Sequence, residues 1–86
     1  MELYEIKNGL DKAHLLIDEY RKSAQIDEKL REIEGLSYQT MQDGFWDDPT
    51  KAKKIYDELN DMKKITDEYK SLCQSLNSLD ETYYIS

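Results

Sequence analysis

Nineteen carboxylates, one histidine and one cysteine are the groups in this chain that could do chemistry. Asp57 with Asp61, and Glu28 with Glu32, stand four residues apart, as the carboxylates of a two-metal site on a helix do. Such a site also needs a Glu-x-x-His partner or further inward-facing acids. The single histidine, His14, is not in that pattern, and the acids lie off the apolar stripes described below. They read as a solvated face. A catalytic His14 would need a nucleophile or an acid brought beside it, and nothing in the sequence indicates one, so it reads as a boundary residue. Cys73 lies inside a helical pattern and reads as a small apolar side chain. There is no Gly-rich phosphate loop, no Cys-x-x-Cys and no Gly-x-Ser-x-Gly. The sequence reads as non-enzymatic, with no cofactor and no metal.

The elements that would position any site follow from composition and spacing. Eighty-six residues make one small domain, rich in charge (36%) and modest in hydrophobic residues (38%), with three glycines and one proline. That balance suits exposed amphipathic helices, and a chain of this length has little core to spare. A net charge of −7 argues against a free-standing grip on DNA or RNA. No apolar run is long enough to span a membrane and no secretory signal is present, so a cytoplasmic protein is expected.

Three helices are expected, over about residues 2–24, 27–42 and 49–83 of a single domain 1–86. In the first, Leu3, Ile6, Leu10, Ala13, Ile17, Tyr20 and Ala24 alternate three and four apart, with Leu16 beside them. In the second, Ile26, Leu30 and Ile33 share a face that Leu36 or Met41 continues. Asp27 is a candidate cap and Ser23 a competing start, and Gly35 is either an end or an interior glycine. The third is the clearest: Ile55, Leu59, Met62, Ile65, Tyr69, Leu72, Leu76, Leu79 and Tyr83 keep the alternation in heptads. Asp48 and Pro49 start it, the acid capping free amides and the proline lacking an N–H to satisfy. The expected fold is all-α, a three-helix bundle or a helical hairpin with a long, coiled-coil-like third helix. That helix should outreach the others and leave Leu76, Leu79, Tyr83 and Tyr84 uncovered.

Between the second and third helices lies "DGFWDDPTKA", with the only Phe and the only Trp of the chain. Phe45 and Trp46 are expected to turn inward as a plug where the helices diverge, with an exposed partner contact as the rival reading. Lys51, Lys53 and Lys54 follow, a basic cluster in a helical turn whose dipole favours acids. They are either a partner-facing patch or a routine solvated face.

The order of these features resembles the N-terminal helical domain of bacterial peptide chain release factor 2. In that family an aromatic-Arg-Gly-Ser stretch precedes a second helix, and a Phe-Trp-acid/amide segment opens a long third one. Tyr20, Arg21 and Ser23 match the first, with Lys22 in place of glycine. Phe45, Trp46, Asp47 and Ala52 match the second. The likeness covers about residues 1 to 80. It departs where Ala24 and Gln25 replace the usual Leu-Asp, and neither Gly-Gly-Gln nor Ser-Pro-Phe occurs. The resemblance implies a first domain alone, either a fragment or a divergent relative, without peptide-releasing chemistry. It also implies contacts with the ribosome, near the stalk base, or with another translation factor. The competing reading is a generic coiled-coil protein that interacts or dimerises through its third helix.

Overall fold

A computed structural model describes residues 2–85. Helix α1 spans Leu3–Ser23, α2 spans Ile26–Thr40, a short 3-10 turn covers Phe45–Asp47, and α3 runs from Pro49 to Ile85. Among the described residues there is no strand. Both α1 and α2 pack on α3. The molecule measures 61 × 24 × 15 Å, the dimensions of two helices lying side by side in one layer. The fold is therefore a flat hairpin. One arm is the unbroken α3, and the other is α2 followed back along the chain by α1.

The broken arm is built at Ser23–Ile26. Ala24 N–H donates to the Tyr20 carbonyl (2.9 Å) and Gln25 N–H to Lys22 (3.2 Å), closing α1. Gln25 then takes a left-handed conformation (φ 52°, ψ 49°), which costs a residue with a side chain about 1–2 kcal/mol. Its carbonyl accepts from Lys29 N–H (3.0 Å) and opens α2 at once. Arg21 and Asp27 fasten the joint with two hydrogen bonds, at 3.1 and 3.2 Å. Asp27 thus pairs across the joint and does not cap α2, which has no side-chain cap. Gly35 is interior to α2, and α2 stops at Thr40, two residues short of the expected end. The Thr40 hydroxyl donates back to the Ser37 carbonyl (2.7 Å) as the chain leaves the helix.

The two arms run antiparallel. His14 Nε2 lies 2.7 Å from Asp80 Oδ2, and the Tyr20 and Tyr69 rings stack at 6.3 Å. Ile26 is fully buried at the point where the broken arm bends, and Ala52, Leu59 and Leu76 complete the buried apolar core. On α1 the expected stripe faces α3 from Ile6 to Ala24, all half-buried, while Leu3 is exposed. On α2, Leu30 and Met41 are exposed and Leu36 continues the stripe instead.

The contact line of α3 differs from the expected one. Ala52, Leu59, Thr66, Cys73 and Asp80, with Ile55, Met62, Ile65, Tyr69, Leu76 and Tyr83, are the residues buried or half-buried. The expected line holds at Ile55, Leu59, Met62, Ile65, Tyr69, Leu76 and Tyr83, but Thr66 joins it and Cys73 and Asp80 stand where Leu72 and Leu79 were expected. Leu72 and Leu79 are in fact exposed. Three polar or weakly polar residues can occupy the interface because each has a partner for its polar atom. The Thr66 hydroxyl donates to the Lys63 carbonyl at 3.1 Å, Cys73 lies beside the Tyr69 hydroxyl and raises its pKa, and Asp80 meets His14. The C-terminal end is also better covered than expected. Helix α1 lies against it, so that Leu76 is buried and Tyr83 half-buried, while Leu79, Tyr84 and Ile85 stay exposed.

Candidate contact site at the turn of the hairpin

The segment from Met41 to Asp48 reverses the chain in eight residues, and its backbone shows how. Gly44 has φ +81°, a conformation that side chains disfavour, and a Cβ there would come within 3.2 Å of Asp47 Oδ2. Asp47 N–H donates to the Gly44 carbonyl (3.1 Å) and Phe45 N–H to Gln42 (3.3 Å), tightening a single 3-10 turn. Asp48 is extended (φ −109°, ψ 93°). Its Oδ1 accepts from the Lys51 N–H at 3.1 Å and its carbonyl accepts from Ala52 N–H at 2.9 Å. Asp48 is the N-cap of α3 and Pro49 its first residue.

This geometry sets the fate of the two aromatics. A 3-10 turn has three residues per turn, so successive side chains point about 120° apart. Phe45 and Trp46 cannot both face the core. Phe45 is half-buried, whereas Trp46 is 60% exposed, which corrects the expectation of a two-residue plug. Trp46 meets the Phe45 ring edge-on (centroids 4.9 Å, 90°) and leans on Tyr56 of α3 at 5.8 Å. The result is a solvent-facing aromatic pair, Trp46 and Tyr56, on a half-buried Phe45. Tyr56 was not singled out by sequence reasoning. The available signal was its place one residue after Ile55, at the border of the contact line.

The three lysines are exposed but do not converge. Lys51 lines a cleft of about 370 Å³ together with Phe45, Gln39 and Asp48. Lys53 and Lys54 border a separate shallow groove beside Pro49 and Asp57. The Lys53 ammonium is 2.8 Å from Asp57, whose hydrogen bond and then charge raise its pKa above the ordinary lysine value. Lys51 and Lys54 make no ion pair among the described residues. The turn can offer a partner an exposed aromatic pair, with the lysines of α3 beyond it.

Elsewhere the groups with chemical potential are engaged one by one. Asp57 is held by Lys53, and Glu28 lies 3.8 Å from Arg31. Cys73 raises the pKa of the Tyr69 hydroxyl by hydrogen bonding, with burial adding to the effect. Among the described residues no group of three or more His, Cys, Asp or Glu side chains gathers as metal ligands would, and no helix is long and apolar enough to cross a membrane.

Comparison with known proteins adds a specific likeness. The chain is 34% identical over 83 residues to peptide chain release factor 2 of Staphylococcus aureus, covering 96% of this chain and 22% of that protein. It is 35% identical over 72 residues to peptide chain release factor 2 of an Exiguobacterium species, covering 84% of this chain and 20% of the relative. For the Lactiplantibacillus plantarum protein of the same name the identity is 30% over 83 residues. The chain thus spans about a fifth of the length of the relatives it matches. No family model matches it, and neither does any solved structure.

Proposed function

We propose that this chain is a non-catalytic helical module of translation termination, similar to the first domain of release factor 2. In this reading residues 1–86 form one cytoplasmic domain that works through contacts with the ribosome, near its stalk base, or with another translation factor. The observation that carries the reading is the likeness to release factor 2 along 96% of the chain. The hairpin gives that likeness a physical form. Asp48 and Pro49 fix the start of α3, the turn they anchor holds Trp46 and Tyr56 in the open, and Lys51, Lys53 and Lys54 lie exposed in the first turns of α3. Exposed Trp and Tyr side chains are what protein-contact sites favour at their centres, with lysines left to the rim.

The charge of the chain narrows the partner. At −7 it is repelled by bare RNA over the range of a Debye length, so a basic protein is the favoured surface. Co-sedimentation of the purified chain with ribosomes tests the proposal, with the wild type compared to a Trp46→Ala, Tyr56→Ala variant. Wild-type protein should pellet with ribosomes and the variant should not. A wild-type chain left wholly in the supernatant would end this reading.

A further inference from the structure

A hairpin one layer thick has two broad faces, and side chains identify them. One is the face of His14, which lines a cleft with Asp18 and Asn77. Leu16 is two residues from His14 and Leu79 two residues from Asn77, so each lies about 200° around its helix, on the opposite face. Leu72, one heptad before Leu79, joins them, and it shares a shallow hollow of the α1–α3 pair with Tyr20, Ser71 and Ser75. Leu16 is 65% exposed, Leu72 48% and Leu79 58%. None of the three is needed to close the hairpin.

The chemistry of this face is unlike that of the rest of the molecule. Residues 71–79, SLCQSLNSL, carry no charge in a chain of which 36% is charged. Leucines there alternate with serines, knobs beside shallow gaps, and on α1 Leu16 stands between Gly9 and Ser23 at seven-residue spacing. Such a surface complements a rotated copy of itself. Its α3 side offers no charge from Ser71 to Leu79; the ionic groups stand at the margins, Lys12 and Glu19 one turn to either side of Leu16 on α1, and Lys64, Asp67 and Glu68 at one end of the hollow. Half of the 61 × 24 Å face, roughly 700 Å², is close to the ~800 Å² per partner that a stable interface buries.

We propose that a second copy of this chain docks on the face of Leu16, Leu72 and Leu79, stacking two flat hairpins into a four-helix bundle over their α1–α3 halves. This goes beyond the ribosomal reading and does not depend on it. Self-association through a face whose charges, Lys12 and Glu19 among them, are few and of both signs has a particular salt signature on molecules of like net charge. Repulsion between two chains of −7 is screened as the Debye length falls from about 10 Å at 0.1 M salt to about 3 Å at 1 M. The dimer should tighten with salt, whereas docking of a basic partner weakens.

Sedimentation equilibrium of the 86-residue chain, from micromolar to millimolar concentration at those two salt levels, tests the proposal. The wild type should dimerise, with Kd several-fold lower at high salt. Leu72→Glu combined with Leu79→Glu should weaken the dimer by at least about a hundredfold while helical content is kept, because both side chains are already solvent-facing. Tyr84→Glu, on the line of Asn77 and so on the His14 face, should leave the dimer intact. A wild type that stays monomeric throughout would overturn the proposal. So would a dimer that the leucine variant does not weaken, or one lost in Tyr84→Glu. The salt series on the wild type decides the matter even if the double variant unfolds, since a dimer that loosens with salt also contradicts it.

Discussion

Replacing Trp46 by Ala separates the two jobs that an aromatic residue at a turn can do. The side chain is 60% exposed, so about 40% of its surface is removed from water. A Trp carries roughly 250 Å², which puts the buried part near 100 Å² and its hydrophobic worth near 2.5 kcal/mol. Compactness of the unfolded chain trims such figures by roughly 10–40%, leaving about 1.5–2 kcal/mol. A fully buried Trp would cost about 3–5 kcal/mol on truncation. Urea unfolding followed by circular dichroism measures the difference, with Leu59→Ala as the internal standard. Leu59 is 3% exposed and its truncation should cost about 2–5 kcal/mol. Because Trp46 is the only tryptophan, its fluorescence gives a second reading, which should be red-shifted and readily quenched by iodide. A Trp46→Ala loss equal to or larger than that of Leu59→Ala, or a shielded fluorophore, would refute the exposed placement and the contact role built on it.

Three further outcomes follow from the same geometry. Gln25→Gly should stabilise the fold by about 0.5–1 kcal/mol, since glycine escapes the left-handed penalty but loses more chain entropy; a lower melting temperature would show that the joint is not strained at Gln25. Asp48→Ala should cost about 0.5–2 kcal/mol by uncapping α3 while Asp48→Asn keeps most of the stability, and equal losses would deny the cap. The hydrogen bond with Cys73, then burial, raises the Tyr69 pKa, so the folded state prefers the protonated phenol. Its contribution is whole below the unfolded value of about 10 and fades as pH rises through the higher folded one. Ring-carbon NMR should show Tyr69 titrating earlier in Cys73→Ala; an unchanged titration would exclude the thiol as the cause.

Much of this was legible in the sequence for local reasons. The three-four spacing on α1, the Asp48–Pro49 start of α3 and the break at Gly44 are written in residue types whose preferences are intrinsic. What was hidden depends on the partner arm. On α3, Leu72 and Leu79 continue the apolar pattern better than Cys73 and Asp80, and apolarity alone selects the leucines. The arm that packs there brings His14 to Asp80, and Cys73 finds the Tyr69 hydroxyl beside it, so the polar line is half-buried and the leucines are left outside. Trp46 was misplaced for a related reason. Its bulk suggests a core, but the pitch of a 3-10 turn allows only one of two adjacent aromatics to face inward. Gln25 gave no warning at all, because a left-handed glutamine is chosen by the joint it closes and not by its own preference.

The proposed function requires that this hairpin engage the termination machinery without chemistry of its own. A reconstituted termination reaction with full-length release factor 2, titrated with the purified chain, tests it most directly. The chain alone should release no peptide, excess chain should slow release by the factor, and added factor should restore the rate. Release by the chain itself, or a rate indifferent to any excess of it, would contradict the account.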